Sequence, residues 1–387
     1  MSGDTSTIDR TSQPSPAHQN GTGGTGGAEG TAVPAAESSA PEAFAGRVIG
    51  DFASLATSLM AAIGDRFGLF KALATGGPAT SAELATRAGI DERYAREWLS
   101  AMATARYLHY DAATSRFALP PAHVPVLADE GGPMFFGGGY QQWLSIVRVL
   151  DDVSEAFRTG GGVPYDAYSQ DFWEGSERFT TGWFDHLLVQ QWLPAVPEVQ
   201  AALERGALVA DVGCGHGRAL IRLAQAFPAS RFVGYDAHAP SVARATAAAE
   251  AAGVADRVRF EQRDASAGLP AQYDVITAFD MVHDTVAPRA LLRAIREALR
   301  PGGTFLCLEY NCPDRLEDDI GNPLATLGYT GSIVFCMTTS LAHGGEGLGA
   351  RGLPEGKLRA LCAEAGFGSL RRAPIENPFN VLFVITA

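Results

Sequence analysis

Residues 209–217 read Val-Ala-Asp-Val-Gly-Cys-Gly-His-Gly, an apolar run that leads into three alternating glycines. Such a run predicts a buried strand, and the glycines let the backbone turn tightly and let a ligand approach where a Cβ atom would obstruct it. A helical pattern over 218–227 follows. The spacing differs from the dinucleotide fingerprint Gly-x-Gly-x-x-Gly because position 218 is Arg, which disfavours an NAD enzyme. The stretch therefore predicts a strand, loop and helix that bind a ligand through the loop.

The same unit recurs along the C-terminal half of the chain. Short runs rich in Val, Ile and Phe alternate with helical patterns, which predicts right-handed crossovers and a parallel sheet covered on both faces. The expected strands are ALVADVG, RFVGYD, VRFEQRD, YDVITAFD and TFLCLEY, with two more strand-like runs, SLRRAP and FNVLFVITA, at the C-terminal end. The fold class predicted for this part is α/β, a doubly wound Rossmann-like sheet.

Two aspartates close the second and third expected strands. Asp236 is placed where a carboxylate can accept hydrogen bonds from both hydroxyls of a ribose, and Asp264 is placed for an exocyclic amine. Taken singly, either aspartate could be a helix cap. Together with the glycine loop, the two indicate a ligand that contains adenosine.

At these residues the chain resembles the class I S-adenosylmethionine-dependent methyltransferases. The similarity rests on ADVGCGHG, YD at 235–236, RDA at 263–265 and LRPGG at 299–303, and it covers about residues 196–387. With a winged helix in front, described below, the arrangement is similar to that of small-molecule O-methyltransferases and related bacterial winged-helix methyltransferases. The resemblance implies S-adenosylmethionine as the cofactor.

The resemblance also implies roles for single residues. An aspartate stands behind the glycine loop, the loop glycines let the methionine part of the cofactor approach, and the helix that follows favours its carboxylate. The second and third strand ends hold the ribose and the adenine, and an aromatic residue after the fourth strand lies beside the methyl donor. The residues implied are Asp211, Gly213, Gly215, Gly217, Asp236, Ala237, Asp264, Ala265 and Phe279. Cys214 and His216 are expected to be merely tolerated in the loop.

The segment Phe279-Asp-Met-Val-His-Asp284 is similar to the part of O-methyltransferases in which the His of a His-Asp pair acts as general base. A phenol titrates near about 10, whereas an imidazole near about 6.5 can take its proton as methyl transfer proceeds. The resemblance implies His283 as the base and Glu309, at the end of the fifth strand, as the acid that orients it. Alternatively, His283 and Asp284 only cap the next helix and Glu309 is an ordinary strand-end charge. His343 is a second candidate base.

A smaller helical domain is expected before the sheet. Residues 80–83, Thr-Ser-Ala-Glu, read as the capped start of a short helix that Gly89 ends, and Asp91 caps a second helix. Strand-like runs at 107–110 and 116–119 follow around a polar turn. Helix, turn, helix and hairpin in this order predict a mainly α winged helix.

A winged helix either binds DNA through its second helix or serves for packing and dimerisation. Here the second helix carries Arg93 and Arg96 together with Glu92 and Glu97, so no basic face emerges. We therefore expect a homodimer that forms through this domain.

We predict four segments in all. They are a disordered tail (1–40), a winged-helix dimerisation domain (41–134), an aromatic-rich helical connector (135–195) and a catalytic domain that binds S-adenosylmethionine (196–387). The aromatic rings of the connector either pack domains together or line an apolar substrate pocket. A long Gly-rich insertion over 311–352 is expected to cover the ligand crevice.

Composition excludes other classes of protein. The 387 residues carry 43 acidic against 30 basic side chains, a net charge of −13, which argues against nucleic acid as a partner. The sequence shows no run of roughly 18 uncharged apolar residues and no visible signal peptide, so we expect neither membrane insertion nor secretion. Five cysteines without a C-x-x-C pair predict free thiols in the cytoplasm. The acidic run over 317–319 is expected to be a solvated turn, so no metal is expected.

The sequence thus predicts a cytoplasmic enzyme of secondary metabolism. It would use S-adenosylmethionine to methylate a hydroxyl of an aromatic or polyketide-like small molecule. Two alternatives stay open: C- or N-methylation of a small molecule, and a regulator whose winged helix binds DNA while its α/β domain senses the cofactor.

Overall fold

The computed structural model describes residues 39–386. The tail predicted over 1–40 lies outside these residues except for Ser39 and Ala40. The described chain divides into two compact units between Asp51 and Phe52, and the sheet and the site below belong to the second unit.

The N-terminal helices and hairpin form the predicted winged helix. Thr80 and Glu83 cap the third helix reciprocally, each side chain accepting a hydrogen bond from the backbone N–H of the other residue. Gly89 ends that helix at φ +65°, a left-handed conformation that glycine adopts without strain. Asp91 caps the next helix. The elements are α1 (Ala40–Arg66), α2 (Leu69–Gly76), α3 (Ser81–Ala88), α4 (Glu92–Thr104), β1 (His109–Asp111) and β2 (Arg116–Ala118), the two strands pairing antiparallel.

The connector is helical, as expected, and rich in ring contacts. Trp183 stacks on Phe379, and Phe184 packs against Phe279 at the end of a central strand. These rings join the connector to the sheet. The elements within it are α6 (Gly137–Ser145), α7 (Leu150–Thr159), α8 (Gln170–Trp183) and a π-helical stretch (Phe184–Trp192). A short helix, α5 (Val124–Leu127), precedes the connector, and α9 (Pro197–Arg205) follows it.

Seven strands form one sheet in the order β5-β4-β3-β6-β7-β9-β8. The five strands β3, β4, β5, β6 and β7 are parallel, whereas β9 runs antiparallel to both β7 and β8. The predicted fold class is therefore confirmed, with an antiparallel edge. The strands are β3 (Leu208–Val212), β4 (Arg231–Asp236), β5 (Val258–Gln262), β6 (Tyr273–Phe279), β7 (Leu299–Tyr310), β8 (Ser369–Arg372) and β9 (Asn380–Thr386).

Helices cover both faces of the sheet because the strands are apolar on both sides. Val209 and Val275 pack into one buried cluster, and their neighbours Ala210 and Ile276 pack into the cluster on the opposite face. The covering helices include α10 (Arg218–Ala226), α11 (Ala239–Ala251), α12 (Pro288–Ala298) and α15 (Glu355–Glu364). The carboxyl ends of the parallel strands consequently open onto one edge.

The insertion predicted over 311–352 is partly helical. It contains α13 (Pro323–Gly331), a π-helical turn (Ser332–Cys336) and α14 (Met337–Ala342). The predicted solvated turn is wrong at Asp319, which is 5% exposed and forms an ion pair with the buried Arg351. The guanidinium compensates the carboxylate, so the pair can leave water.

Two helical stretches, Ala40–Arg66 and Pro323–Ala342, are long and apolar enough to cross a membrane by length and composition. In the second, 44% of the apolar window is buried inside the structure. Core helices of globular proteins pass the same test. The expectation of no membrane association therefore stays a prediction.

Candidate active site

The glycine loop after β3 depends on three left-handed glycines. Gly213, Gly215 and Gly217 have φ values of +69°, +52° and +77°. A Cβ atom at Gly217 would lie 2.4 Å from the Phe260 ring, and one at Gly213 would lie 2.8 Å from Met281. At Gly215, by contrast, a Cβ atom would meet no described atom within 4 Å. Two glycines are thus required by packing, and the third faces open space at the edge of the sheet.

Asp236 ends β4 directly beside this loop. Its two carboxylate oxygens accept hydrogen bonds from the backbone N–H groups of Gly215, at 2.9 Å, and His238, at 2.8 Å. A carboxylate has about four lone-pair positions, so two remain for a ligand's hydroxyl groups. The side chain therefore shapes the loop and can still accept further hydrogen bonds.

Asp264 and Ala265 lie beyond the end of β5. The Asp264 carboxylate accepts a hydrogen bond from the backbone N–H of Ser266 at 2.9 Å and caps a short 3₁₀ helix (Ala265–Ala267). Asp264 is exposed and Ala265 is buried. The structure places both residues at the same sheet edge as Asp236 and the exposed Ala237.

Asp211 is buried behind the glycine loop. Thr277 on β6 donates a hydrogen bond to its Oδ1 at 2.6 Å, linking the two central strands. Burial and the nearby charge of Asp236 raise the pKa of Asp211 to about 7. Two neighbouring carboxyl groups at a strand edge create a negative potential, which a cationic ligand would relieve.

These features fit S-adenosylmethionine. The open space at Gly215 suits a group that needs close approach to the backbone, the free lone pairs of Asp236 suit the ribose hydroxyls, and the negative potential suits a cofactor that carries a sulfonium and an ammonium group. Gly217 precedes α10, whose first N–H groups favour a carboxylate.

His283 and Glu309 meet in the protein interior where β6 and β7 end. Oε2 of Glu309 lies 2.5 Å from Nδ1 of His283, and Oε1 accepts a hydrogen bond from the backbone N–H of Val282 at 2.9 Å. A carboxylate only accepts hydrogen bonds, so Nδ1 carries a proton. Nε2 lies 3.0 Å from Oδ1 of Asp284 and is the nitrogen that can exchange a proton with a substrate. The cap alternative is wrong, because α12 begins at Pro288 with Ala287 as its N-cap and no capping side chain among the described residues.

The charge around His283 is strongly acidic. Burial alone lowers the pKa of the imidazole, but the carboxylates of Asp284 and Glu309 outweigh this effect and raise it well above its ordinary value. Asp280 is the third acid of the group: desolvation and the charge of Glu309 raise its pKa to about 8. Asp280 belongs to the segment 279–284, but it is not among the site residues predicted from the sequence. Its left-handed backbone, φ +52°, and its hydrogen bond from Asn380 set it apart.

Aromatic side chains connect the cofactor edge with His343 of the insertion. Trp173 stacks on His238 with ring centroids 5.4 Å apart and on Tyr165 at 5.8 Å, and Tyr165 lies 6.0 Å from the His343 ring. The connector and the insertion thus contribute to one wall. His343 uses Nδ1 to contact the backbone oxygen of Thr339 at 2.9 Å, so this nitrogen has a local backbone partner.

His216 has a specific partner, contrary to the expectation of a merely tolerated side chain. Its Nδ1 lies 2.8 Å from Glu177 on α8, and Glu177 also pairs with Arg244 on α11. Nothing local in the sequence signals this contact, because the partners are 39 residues apart. The glycine loop is therefore held by the connector.

Comparisons with known proteins agree with this geometry. A family model described as a methyltransferase domain matches residues 210–305, and one described as an Rv2258c-like winged HTH domain matches residues 55–129. O-demethylpuromycin-O-methyltransferase of Streptomyces alboniger is 26% identical over 328 residues, 79% of this chain and 83% of that protein.

Solved structures show the same fold. The structure of mitomycin 7-O-methyltransferase MmcR is similar with a TM-score of 0.66 and 20% identity, covering 90% of this chain and 99% of that one. Human N-acetylserotonin methyltransferase in complex with S-adenosylmethionine has a TM-score of 0.68 and 17% identity, with 88% and 97% covered. Both likenesses extend over the winged helix, the connector and the sheet.

Proposed function

We propose that this chain, an S-adenosylmethionine-dependent methyltransferase with an N-terminal winged-helix domain, methylates a hydroxyl group of an aromatic or polyketide-like small molecule. The observation that carries the proposal is the buried pair of His283 and Glu309 where β6 and β7 end. It supplies a general base of fixed orientation at the edge where the cofactor binds.

The proposed cofactor residues are the nine predicted from the sequence. Asp236 and Ala237 hold the ribose, Asp264 and Ala265 contact the adenine, and Phe279 lies next to the reacting groups. Asp211 supports the loop that Gly213, Gly215 and Gly217 form. The chemistry supplied by bound S-adenosylmethionine is an activated methyl group on a sulfonium centre, so the chain's own tasks are to align the acceptor and to remove its proton.

Proton removal is assigned to His283. Glu309 keeps the proton on Nδ1, so the acceptor hydroxyl donates its hydrogen bond to Nε2 and loses its proton there as the methyl group is transferred. The carboxylates that raise the pKa of His283 make it a stronger base, provided that the pH is high enough to leave Nε2 unprotonated. A general base of this kind contributes roughly 10²–10⁴-fold to the rate.

The acceptor class is inferred from the aromatic wall. Trp173, Tyr165 and the neighbouring Phe335 form an aromatic cluster beside the site, which suits an apolar or aromatic acceptor. The relatives named for O-demethylpuromycin and mitomycin support a hydroxyl acceptor from secondary metabolism.

We also propose that the protein is a homodimer and that it is located in the cytoplasm. The proposed domain boundaries are those predicted from the sequence, 41–134, 135–195 and 196–387. A line of exposed apolar side chains on and just after α1 supports self-association, because a face of this kind is unusual on a monomer. Its members are Phe52, Leu55, Leu59, Ile63 and Phe67. On α4, Arg93 pairs with Glu97 and Arg96 with Glu92, which disfavours DNA binding through this helix.

The test is His283→Ala assayed against a panel of phenolic acceptors, with cofactor binding followed by calorimetry. We expect turnover to fall by roughly 10²–10⁴-fold while the dissociation constant of S-adenosylmethionine stays unchanged. His109→Ala, at an exposed histidine on β1, is the matched control and should retain turnover. Undiminished turnover of His283→Ala would reject the base role and favour C- or N-methylation.

A further inference from the structure

Three potential metal ligands converge on the free side of the His283 ring. Nε2 of His283, a carboxylate oxygen of Asp284 and Sγ of Cys336 all lie within 4.8 Å of one another. Nε2 and Oδ1 of Asp284 are 3.0 Å apart. Cys336 ends the π-helical turn of the insertion, so it reaches this group from another element.

The unoccupied hydrogen-bonding capacity of the group points to a cation. Oδ1 of Asp284 is buried and has no assigned hydrogen-bond partner among residues 39–386, although Nε2 of His283 lies only 3.0 Å from it. Glu309 holds the proton on Nδ1, so at a pH high enough to deprotonate Nε2 the imidazole presents a lone pair to this oxygen. Two lone pairs at 3.0 Å repel each other unless a proton or a metal ion lies between them.

The environment of the histidine matches that of a metal ligand. A histidine that binds a metal almost always donates its other N–H to a carboxylate or carbonyl group, as His283 does to Glu309. Imidazole, carboxylate and thiolate together are ligands typical of Zn²⁺, which takes four ligands tetrahedrally. Bond lengths of about 2.0–2.3 Å separate such ligand atoms by roughly 3–4 Å, so only small side-chain adjustments are needed here.

We propose that His283, Asp284 and Cys336 bind one Zn²⁺ ion through Nε2, a carboxylate oxygen and Sγ, leaving a fourth position open. Burial, with a smaller contribution from the carboxylate of Asp284, raises the pKa of the Cys336 thiol to about 12. Binding must therefore displace the thiol proton to solvent, and it strengthens as the pH rises.

Zinc in this position occupies the nitrogen that the acceptor hydroxyl needs. The ion is accordingly an inhibitor of methyl transfer. Zinc binding itself does not depend on the proposed function, but the inhibition rests on it. Of the five cysteines, Cys336 is the one that joins this group, whereas Cys362 is buried in the cluster around α15.

The experiment is calorimetric titration of the chelator-treated full chain with Zn²⁺, repeated for Cys336→Ala and for Cys362→Ala as the matched control. We expect one ion per wild-type chain, unchanged binding in C362A, and affinity lower by roughly tenfold or more in C336A. Asp284→Asn, which preserves the shape of the side chain, should also weaken binding. Co²⁺ added to the wild type should give thiolate charge-transfer absorption, a readout that needs no variant.

Equal zinc affinity in C336A and C362A, or cobalt binding without thiolate absorption, would overturn the site and leave the proposed function untouched. In methyl-transfer assays, Zn²⁺ should inhibit the wild type and C362A, chelator should restore activity, and C336A should resist. Stoichiometric binding without inhibition would keep the site and contradict the base role of His283.

Discussion

Nδ1 of His283 lies 2.5 Å from Oε2 of Glu309, and both side chains are 1% exposed. The contact joins the residues that follow β6 to the end of β7. Because the second oxygen of Glu309 holds the backbone N–H of Val282, the carboxylate fixes both the ring and the segment that carries it. Glu309 is thus a positioning residue whose charge also acts on the imidazole.

Glu309→Gln separates these two effects. The amide oxygen can still accept one hydrogen bond, but the negative charge is lost, so the pKa of His283 should fall. We expect kcat to decrease and the acidic limb of the pH–kcat profile to move to lower pH, since Nε2 then loses its proton more easily. A profile displaced upward, or not displaced at all, would contradict the electrostatic coupling.

Asp236→Ala tests the ribose site. The substitution removes a charged acceptor, at a cost of roughly 1.5–3 kcal/mol, which corresponds to about 10- to 150-fold weaker binding of S-adenosylmethionine. Calorimetry measures the dissociation constant directly. Asp256→Ala, at an exposed aspartate beside Arg257, should bind as the wild type does. An unchanged constant in Asp236→Ala would refute the assignment.

Gly215→Ala tests whether the open space at the loop is the ligand site. Gly215 and Gly253 both have positive φ, +52° and +68°, and a Cβ atom at either would meet no described atom within 4 Å. Alanine should therefore strain both positions to a similar extent, roughly 1 kcal/mol. We expect both variants to lose similar stability in urea but only Gly215→Ala to lose cofactor affinity. Equal affinities would place the ligand elsewhere.

Local patterns explain which features could be predicted. The strand and glycine loop around Asp211 form a contiguous motif, and the caps at Thr80 and Asp91 act within one turn, so the sequence was sufficient for them. The contact between Glu177 and His216 joins segments that are distant in the sequence, and periodicity carries no information about such pairs. The same holds for Cys336, which reaches His283 through the tertiary fold.

The helices of the insertion also lack a clear signal in the sequence. Pro323–Gly331 contains two glycines and two threonines, which have low helix propensity, yet it forms α13, whose first turn is capped by Asn322 through a hydrogen bond from the backbone N–H of Leu324. The burial of Asp319 depends on its ion pair with Arg351, which lies 32 residues later in the sequence. A charge run is solvated only when no compensating charge reaches it.

Leu55→Glu tests the dimer. Leu55 is 55% exposed on α1, and a charge in the middle of a self-complementary apolar face would be repeated on both subunits. We expect analytical ultracentrifugation to show a dimer for the wild type and a folded monomer for this variant. Tyr94→Glu changes a side chain that is 78% exposed on α4 and should stay dimeric. A monomeric wild type, or a dimer that survives Leu55→Glu, would contradict the interface.

Asp280→Asn tests whether the raised pKa of Asp280 lowers the free energy of unfolding as the pH rises. The pKa of Asp280 is about 8 in the folded chain but about 3.9 when unfolded, so between these values the folded state holds one proton more. The free energy of unfolding of the wild type therefore loses about 1.4 kcal/mol per pH unit from this group as the pH rises. Asparagine cannot ionise, and its side-chain oxygen can still accept the hydrogen bond from Asn380.

Urea unfolding of the cofactor-free chain at pH 5 and pH 7 measures the difference. Between pH 5 and pH 7, the free energy of unfolding of Asp280→Asn should increase by about 2–3 kcal/mol relative to that of the wild type. The reason is that only the wild type loses stability as the carboxyl group of Asp280 is deprotonated in the unfolded state. Asp256→Asn, which changes an exposed carboxylate, should show no comparable gain. If the curves of Asp280→Asn and the wild type run parallel from pH 5 to pH 7, the carboxyl of Asp280 titrates as it does in water, and the charge repulsion inferred between Asp280 and Glu309 is absent.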